Sequence, residues 1–235
     1  MIDWNAPQIK LAIYLIYGTS FIMMFFAIMI CIKKASHIEL MNDFKYLAAF
    51  GLLHGIAEYF DIPRFLAWQP AWAYDLIKLI LVTTSFAMLL AFGLSIISAG
   101  IEERRWIRGI PVGALMMYFW LLSFAGLDTI YGEGAGVSYK LAELAQRYSL
   151  GLLGAFVTSY AFLELSRKMS TIVGARTGRR FMYAGICFAL YTVFGGLIVA
   201  PVFEVPVVVY RSAIAVLITI SVLGILRLFE VKNTA

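Results

Sequence analysis

Three ionisable side chains interrupt one apolar stretch of the chain and are the residues best placed to do chemistry. His54, Glu58 and Asp61 lie in the stretch 44–61, at spacings of four and three residues. On a helix these positions share one face. An ionisable residue inside a bilayer costs at least about 2.5–3.5 kcal/mol, so it usually has a partner and a purpose. Glu58 can accept a hydrogen bond from the His54 ring, and Gly55 leaves room for another helix or a ligand headgroup.

Three interpretations of this group remain open from the sequence. The first is a structural network, in which His54, Glu58 and Asp61 pair with polar groups on neighbouring helices. The second is a ligand-binding or proton-sensing site that opens to the outer leaflet. The third is a metal site, because imidazole and carboxylate groups bind divalent ions, although no further histidine or cysteine lies nearby.

Arg147 is the fourth candidate site residue. It begins a later apolar stretch, where an arginine by default anchors a helix at the membrane surface. From that position it could instead reach Asp128, Glu143 or Asp61. We therefore predict that His54, Glu58, Asp61 and Arg147 are ligand-binding or signal-sensing residues.

Several membrane chemistries need residues that this sequence lacks. A retinal Schiff base needs a lysine in the middle of the last helix, where the chain has only Arg211 and Arg227 at the two ends. Membrane haem usually needs two axial histidines, and His37 lies in a predicted loop, apart from His54. The His-Glu-x-x-His zinc motif is absent. We expect neither a cofactor nor an enzymatic activity.

The overall composition predicts that lipid is the natural solvent of the chain. Of the 235 residues, 62% are hydrophobic and only 14% charged, and the mean hydropathy is +0.87. A soluble domain has about 45–50% apolar and about 25% charged residues. These values exclude a soluble enzyme, a disordered chain and a nucleic-acid-binding domain. Cys31 and Cys187 lie in apolar runs and are predicted to be buried thiols.

The apolar residues group into seven stretches of about 20 residues, the length that crosses a bilayer as a helix. We predict a single all-α domain over residues 1–235, a bundle of seven transmembrane helices, with six as the alternative count. A short interfacial helix is expected from Ser138 onwards, because Leu141, Leu144 and Ala145 share a helical face. The predicted spans are 9–32, 44–61, 76–99, 109–127, 147–166, 180–201 and 207–228.

Basic residues predict the orientation, because cytoplasmic loops are enriched in lysine and arginine. The N-terminus is then outside and the C-terminus cytoplasmic, as an odd number of spans requires. Of the 19 basic residues, 13 fall on the predicted cytoplasmic side: Lys33, Lys34, Lys45, Arg104, Arg105, Arg108, Arg167, Lys168, Arg176, Arg179, Arg180, Arg227 and Lys232.

The second stretch resembles a signature of a known family. Residues 47–55 read LAAFGLLHG and are followed by Glu58 and Asp61. This pattern is similar to that of the seven-span N-terminal sensory region of bacterial sensor histidine kinases and diguanylate cyclases, which usually have tryptophan where this chain has Tyr59. The stretches 147–155 and 226–230 are similar to the family's fifth span and to the exit from its last span.

The resemblance implies a sensor in the bacterial inner membrane. Such a region would bind a small-molecule or lipid-like ligand and relay the signal through its last helix, by shifting the population between two helix arrangements. A homodimer and a cytoplasmic kinase or cyclase module, in cis or in trans, are implied as partners, with membrane lipid around them and no nucleic acid. Such a module would lie outside these 235 residues. A small transporter or channel, or a structural membrane subunit, is the alternative function.

Overall fold

The structure is a computed structural model that describes residues 3–4, 6–34, 38–66, 72–99, 106–107, 109–124 and 135–231. These residues form helices and short connections, with no β-strand among them beyond one isolated bridge. The α-helices are α1 Pro7–Lys34, α2 Glu39–Tyr59, α3 Ile62–Phe65, α4 Trp72–Ser98, α5 Ile110–Phe124, α6 Ala135–Gln146, α7 Leu152–Ile172, α8 Ala175–Tyr191 and α9 Val207–Val231. Two π-helical turns, π1 Arg147–Gly151 and π2 Thr192–Leu197, complete the list.

A helix occupies each of the seven predicted stretches, which confirms the all-α class. Among the described residues, five helices are long and apolar enough to cross a membrane. The second stretch forms α2, which has charged residues towards both ends, and the fourth forms α5, which has only 15 residues. The chain is therefore a helical, multi-pass membrane protein, while the count of seven spans and the orientation stay predictions. The five helices are Pro7–Lys34, Ala73–Ser98, Tyr139–Ile172, Ala175–Leu197 and Val207–Phe229.

Six of the long helices form a closed ring. In chain order α1, α2, α4, α7, α8 and α9 each pack on the next, and α9 returns to pack on α1. The remaining long helix, α5, lies outside this ring against α4, and its Met116 and Trp120 are 69% and 59% exposed. Apolar side chains on the outer face of a bundle are compatible with contact to lipid. The ring of six helices, in contrast, surrounds an interior space in which a site can lie.

Small residues bring neighbouring helices of the ring into backbone contact. A Cβ atom added at Gly55 would lie 2.7 Å from the carbonyl oxygen of Gly18, and one added at Gly18 would lie 2.8 Å from that of Gly55. The room predicted beside Gly55 is thus filled by α1. Gly154 similarly lets α7 approach the Phe86 carbonyl of α4. Close approach of this kind holds helices together in lipid, where apolar side chains gain little from leaving the solvent.

The two ends of the ring differ in content. The packed end contains large aromatic side chains that are fully buried, with the Phe162 and Phe188 rings stacked at 5.5 Å between centroids. Cys31 and Cys187 are buried thiols, which confirms that prediction. The other end, here called the cavity end, is where α1, α4 and α9 begin and where α2 ends. The aromatic residues of the packed end are Phe44, Phe92, Phe162 and Phe188.

The helix predicted from Ser138 is present as α6, but it is not separate from the helix that follows. Helix α6 continues through π1 into α7, so that Tyr139–Ile172 is one helix of 34 residues. Its sequence has no proline, and polar groups near Gln146 satisfy their hydrogen bonds inside the ring, where Thr83 donates to Gln146. The start of the predicted fifth span is therefore the middle of a longer helix.

The predicted sixth span ends earlier than residue 201. Helix α8 passes into π2 and stops at Leu197, because Ile198 has extended backbone. Residues 198–206 then form a short loop with a two-residue turn, bridged between Val202 and Val205. Both turn residues have positive φ, 49° at Phe203 and 62° at Glu204, a conformation that residues other than glycine rarely adopt. This loop closes part of the cavity end.

Candidate functional site

A cavity of about 440 Å³ lies inside the ring at the cavity end. All four predicted site residues line it, although they come from α2, the turn after α2, and π1. The start of α9, the loop 198–206, the end of α8, and residues of α1, α4, α6 and π2 complete its wall. The polar residues in that wall are Tyr14, Tyr17, His54, Glu58, Asp61, Lys78, Tyr139, Glu143, Gln146, Arg147, Tyr191 and Arg211.

His54 is buried at the centre of a hydrogen-bond network that joins four helices. Only 2% of the residue is exposed. Its Nδ1 atom lies 3.0 Å from Ser85 Oγ, and its Nε2 atom lies 2.8 Å from the Tyr191 hydroxyl. The Tyr191 hydroxyl is in turn 2.9 Å from the hydroxyl of Tyr17. The network therefore connects α2 to α4, α8 and α1.

The partners of Ser85 indicate where the His54 ring carries its proton. With its hydrogen directed to the Val82 carbonyl at 2.7 Å, Ser85 Oγ is an acceptor towards His54. In this arrangement Nδ1 is the protonated nitrogen. In a neutral ring Nε2 is an acceptor, and Tyr191 donates to it while Tyr17 donates to Tyr191.

Glu58 adds an ionisable group to the same ring nitrogen. Its Oε1 atom lies 3.3 Å from His54 Nε2, and its side chain is 13% exposed. A carboxylate and a bare imidazole nitrogen at this distance would repel each other. The pair is stable when one proton lies between them, on either the ring or the carboxyl group. A proton on Nε2 would make Tyr191 an acceptor and reverse the direction of its hydrogen bond, so the network has two arrangements.

Asp61 faces Lys78 rather than His54. Lys78 Nζ donates to both carboxylate oxygens of Asp61 at 2.6 and 2.7 Å, and both side chains are 12% exposed. The predicted group of three is therefore divided into a His54–Glu58 pair and an Asp61–Lys78 ion pair. Across the described ranges, no three histidine, cysteine or acidic residues are grouped so as to hold a metal ion. The alternative metal-site hypothesis thus lacks support.

Arg147 lines the cavity and is not a surface anchor. Its Nη2 atom donates to Glu143 at 2.9 Å, one helical turn earlier, and its side chain is only 14% exposed. Of the three predicted partners, Glu143 is the one it contacts, and Asp128 lies outside the described residues. The π1 turn sets the direction of Arg147, and π-helical turns within α-helices are frequent at functional sites.

Arg211 is a site residue that the sequence did not reveal. Its Nε atom donates to the Phe194 carbonyl at 2.7 Å and its Nη2 atom to the Ile198 carbonyl at 3.3 Å. These carbonyls lie where π2 ends and lack helical partners. Within the part of the chain that the structure describes, no carboxylate forms an ion pair with Arg211. The only signal in the sequence is a cation within the first turns of an apolar helix.

The site also contains three residues that the sequence did not predict. Lys78 forms the ion pair with Asp61, and Tyr17 and Ser85 belong to the hydrogen-bond network of His54. A lysine near the start of an apolar helix is normally interpreted as an anchor at the membrane surface. Tyrosine and serine are common in transmembrane helices, and nothing in their spacing marks Tyr17 or Ser85. Their roles depend on which helices are neighbours in the ring, and the sequence pattern does not encode this directly.

Comparisons with known proteins return no relative of this chain. No family model matches it, and neither a curated protein nor a solved structure matches it. The likeness of the second stretch to a sensory-region signature therefore stays a prediction.

Proposed function

We propose that this chain is a membrane-embedded sensory domain that binds a small polar molecule inside its helix ring and relays binding through α9. The observation that carries the proposal is the cavity, because it lies between membrane helices and its wall is polar. In the orientation predicted from the basic residues, the cavity end faces outside the cell. The signal would then be extracytoplasmic, and the packed end would face a cytoplasmic signalling module.

The size and lining of the cavity support ligand binding over a purely structural network. Ligand sites in proteins are clefts of about 300–1,000 Å³ with a few well-placed polar groups, and the cavity has about 440 Å³. A structural network in lipid would gain by packing its polar groups against each other, because buried charges are costly there. Here, six charged side chains instead surround open space.

Helix α9 supports the relay. Val207, Val208 and Arg211 at its start line the cavity. At its other end Leu226 is buried, and its carbonyl oxygen lies 3.8 Å from Cys31 Sγ of α1. The helix has 25 residues and is about 37 Å long at 1.5 Å per residue, so it spans the whole ring. A ligand that prefers one position of its start would shift its far end as well.

Thermal unfolding of the purified protein tests the binding step. A library of small polar metabolites is screened for compounds that raise the melting temperature of the wild type, and each hit is repeated on His54→Ala and on Tyr183→Phe. Tyr183 is a matched control, because it lies on α8 and is 54% exposed. We expect hits that are weakened in His54→Ala and unchanged in Tyr183→Phe. The proposal would be overturned if every hit raised the melting temperature of His54→Ala as much as that of the wild type, or if the library gave no hits.

Spin-label distances test the relay. Lys33→Cys and Arg227→Cys place labels on exposed positions of α1 and α9 at the packed end, in a background where Cys31 and Cys187 are replaced by alanine. A hit from the screen should change the distance distribution in this protein, and should not do so when His54→Ala is added. An unchanged distribution with bound ligand would contradict the relay, and transport of the hit into proteoliposomes would favour a transporter.

A further inference from the structure

The charges around the cavity do not all pair with each other. Its wall contains three cations and three carboxylates. Lys78 forms an ion pair with Asp61, and Arg147 forms one with Glu143. In this wall, Arg211 is then left without an acidic partner, and Glu58 is left with the His54 ring alone.

Arg211 retains unused donors that face no carboxylate. Its guanidinium has five N–H groups, and the two carbonyl contacts use two of them. Among the residues that the structure describes, no carboxylate oxygen lies within 4.0 Å of it. A permanent cation in the wall of a membrane cavity is a strong site for a carboxylate or phosphate group, because charged hydrogen bonds strengthen when water is excluded.

Glu58 offers a carboxyl group to the same space. Its contact at ion-pair distance is with His54, and no lysine or arginine within the described ranges pairs with it. The ring nitrogen that it faces also has Tyr191 as a partner, so that Glu58 is available to accept a hydrogen bond from a ligand. An ammonium group is the complementary donor.

Resting on the proposed function, we infer that the ligand is a small zwitterion, with an ammonium group towards Glu58 and an acidic group towards Arg211. Such a molecule supplies a counter-ion for Arg211 and a hydrogen-bond donor for Glu58, and it leaves the two existing ion pairs intact. Aromatic side chains beside the cavity, including Tyr14, Tyr17 and Phe86, favour an ammonium group as well, because cations are attracted to ring faces. An uncharged ligand would leave Arg211 without a counter-ion.

Two sources share this chemistry, a free amino acid and the headgroup of a zwitterionic phospholipid. The probes are the ω-amino acids from glycine to 5-aminopentanoate, phosphoethanolamine, and a short-chain phosphatidylethanolamine. Butylamine and butanoate are one-charge analogues of 4-aminobutanoate. Affinities are measured by calorimetry on the delipidated chain, for the wild type, Arg211→Gln and Glu58→Gln. Tyr183→Phe is the control variant, since its side chain lies outside the cavity.

We expect at least one zwitterion to bind, and each variant to weaken it about tenfold or more, as expected for a charged hydrogen bond. The pattern across analogues separates a direct contact from a folding defect. Arg211→Gln should weaken butanoate and spare butylamine, and Glu58→Gln should do the opposite. Equal weakening of both analogues by each variant would overturn the inference.

The sources and the broader proposal are separated by the same measurements. Binding of soluble amino acids supports a free zwitterion as the source, and binding of the short-chain lipid alone supports a headgroup. If no zwitterion binds while other compounds from the metabolite screen depend on His54, the inference fails and the sensory proposal stands. If no compound of either set binds, both fail.

Discussion

The cavity end and the packed end of the ring are built from the same six helices but differ in what fills the interior. At the packed end, Phe44, Phe92 and Phe162 are fully buried and contact each other edge to face or tilted. At the cavity end, charged side chains surround about 440 Å³ of space. Dispersion contacts between close-packed rings stabilise the packed end, whereas buried charges destabilise the cavity end.

This difference suggests that the two ends of each helix have different roles. Stability is concentrated where the aromatic rings pack, and this leaves the other end able to retain open space and unpaired charge. His54 lies at the boundary, because its ring stacks on Phe50 at 5.1 Å between centroids and its nitrogens join the polar network. Substitutions at the packed end should therefore affect unfolding, and those at the cavity end should affect binding.

The largest loss of stability is expected from Phe162→Ala at the packed end. The side chain contacts three other phenylalanine rings, and deleting it leaves a cavity that the stacked Phe188 ring cannot fill. We expect the free energy of unfolding to fall by about 3 kcal/mol, the low end of the usual range for such a truncation. Equilibrium unfolding in mixed detergent micelles, followed by circular dichroism, measures it.

Phe156→Ala is the control for this prediction. Phe156 lies on the same helix, α7, and is 60% exposed, so its truncation removes little packing. Equal losses in the two variants would show that stability is not concentrated in the buried aromatic rings. Ligand affinity should change little in either variant, since neither side chain lines the cavity.

An intermediate loss is expected from Lys78→Met at the cavity end. The substitution removes the ammonium group that pairs with both oxygens of Asp61 and leaves a carboxylate inside the ring. Breaking a buried pair on one side is strongly destabilising, and we expect about 2 kcal/mol because Asp61 keeps other contacts. Unfolding in mixed micelles again provides the measurement.

The double variant Lys78→Met with Asp61→Asn sharpens this test. Removing both charges should restore most of the stability, because the cost comes from the unpaired carboxylate. Lys140→Met on α6 is the control, since that lysine is exposed. If the double variant is less stable than Lys78→Met alone, the pair contributes through packing and not through its charges.

The helices could be predicted from the sequence because hydrophobic length alone specifies them. Each of the seven apolar stretches contains a helix, and the cation that begins α9 and the polar group of α2 were visible as interruptions. The ends of the helices were less predictable. At Ser138, the sequence contained both the amphipathic pattern of a surface helix and an uninterrupted path into the next helix, and tertiary contacts decided between them.

The site was predicted only in part, because its partners come from different helices. The spacing of His54, Glu58 and Asp61 placed them on one face of α2, and all three line the cavity. Spacing within one helix could not show that Asp61 faces Lys78 or that Arg147 faces the cavity. Those contacts depend on the order of helices in the ring and on the π1 turn, which re-aims Arg147.

The smallest of the expected stability changes comes from Tyr191→Phe at the boundary between the two ends. The variant keeps the ring and removes the hydroxyl that lies 2.8 Å from His54 Nε2 and 2.9 Å from the hydroxyl of Tyr17. We expect a loss of about 1 kcal/mol, because a buried hydrogen bond is replaced by an unsatisfied acceptor. Tyr183→Phe on the same helix is exposed and should change the free energy of unfolding by much less.

A second measurement on Tyr191→Phe reports directly on the proton of His54. The chain has two histidines, so ¹⁵N-histidine labelling gives a simple spectrum in which His54 is assigned by its loss in His54→Ala. In the wild type we expect the proton on Nδ1, since Ser85 then accepts from it while donating to the Val82 carbonyl. Tyr191→Phe removes the donor to Nε2 and should increase the fraction of rings that carry a proton on that nitrogen, with Glu58 as its acceptor. A wild-type ring protonated on Nε2 alone would contradict this arrangement, because Ser85 would then have to donate to Nδ1 instead of to the Val82 carbonyl.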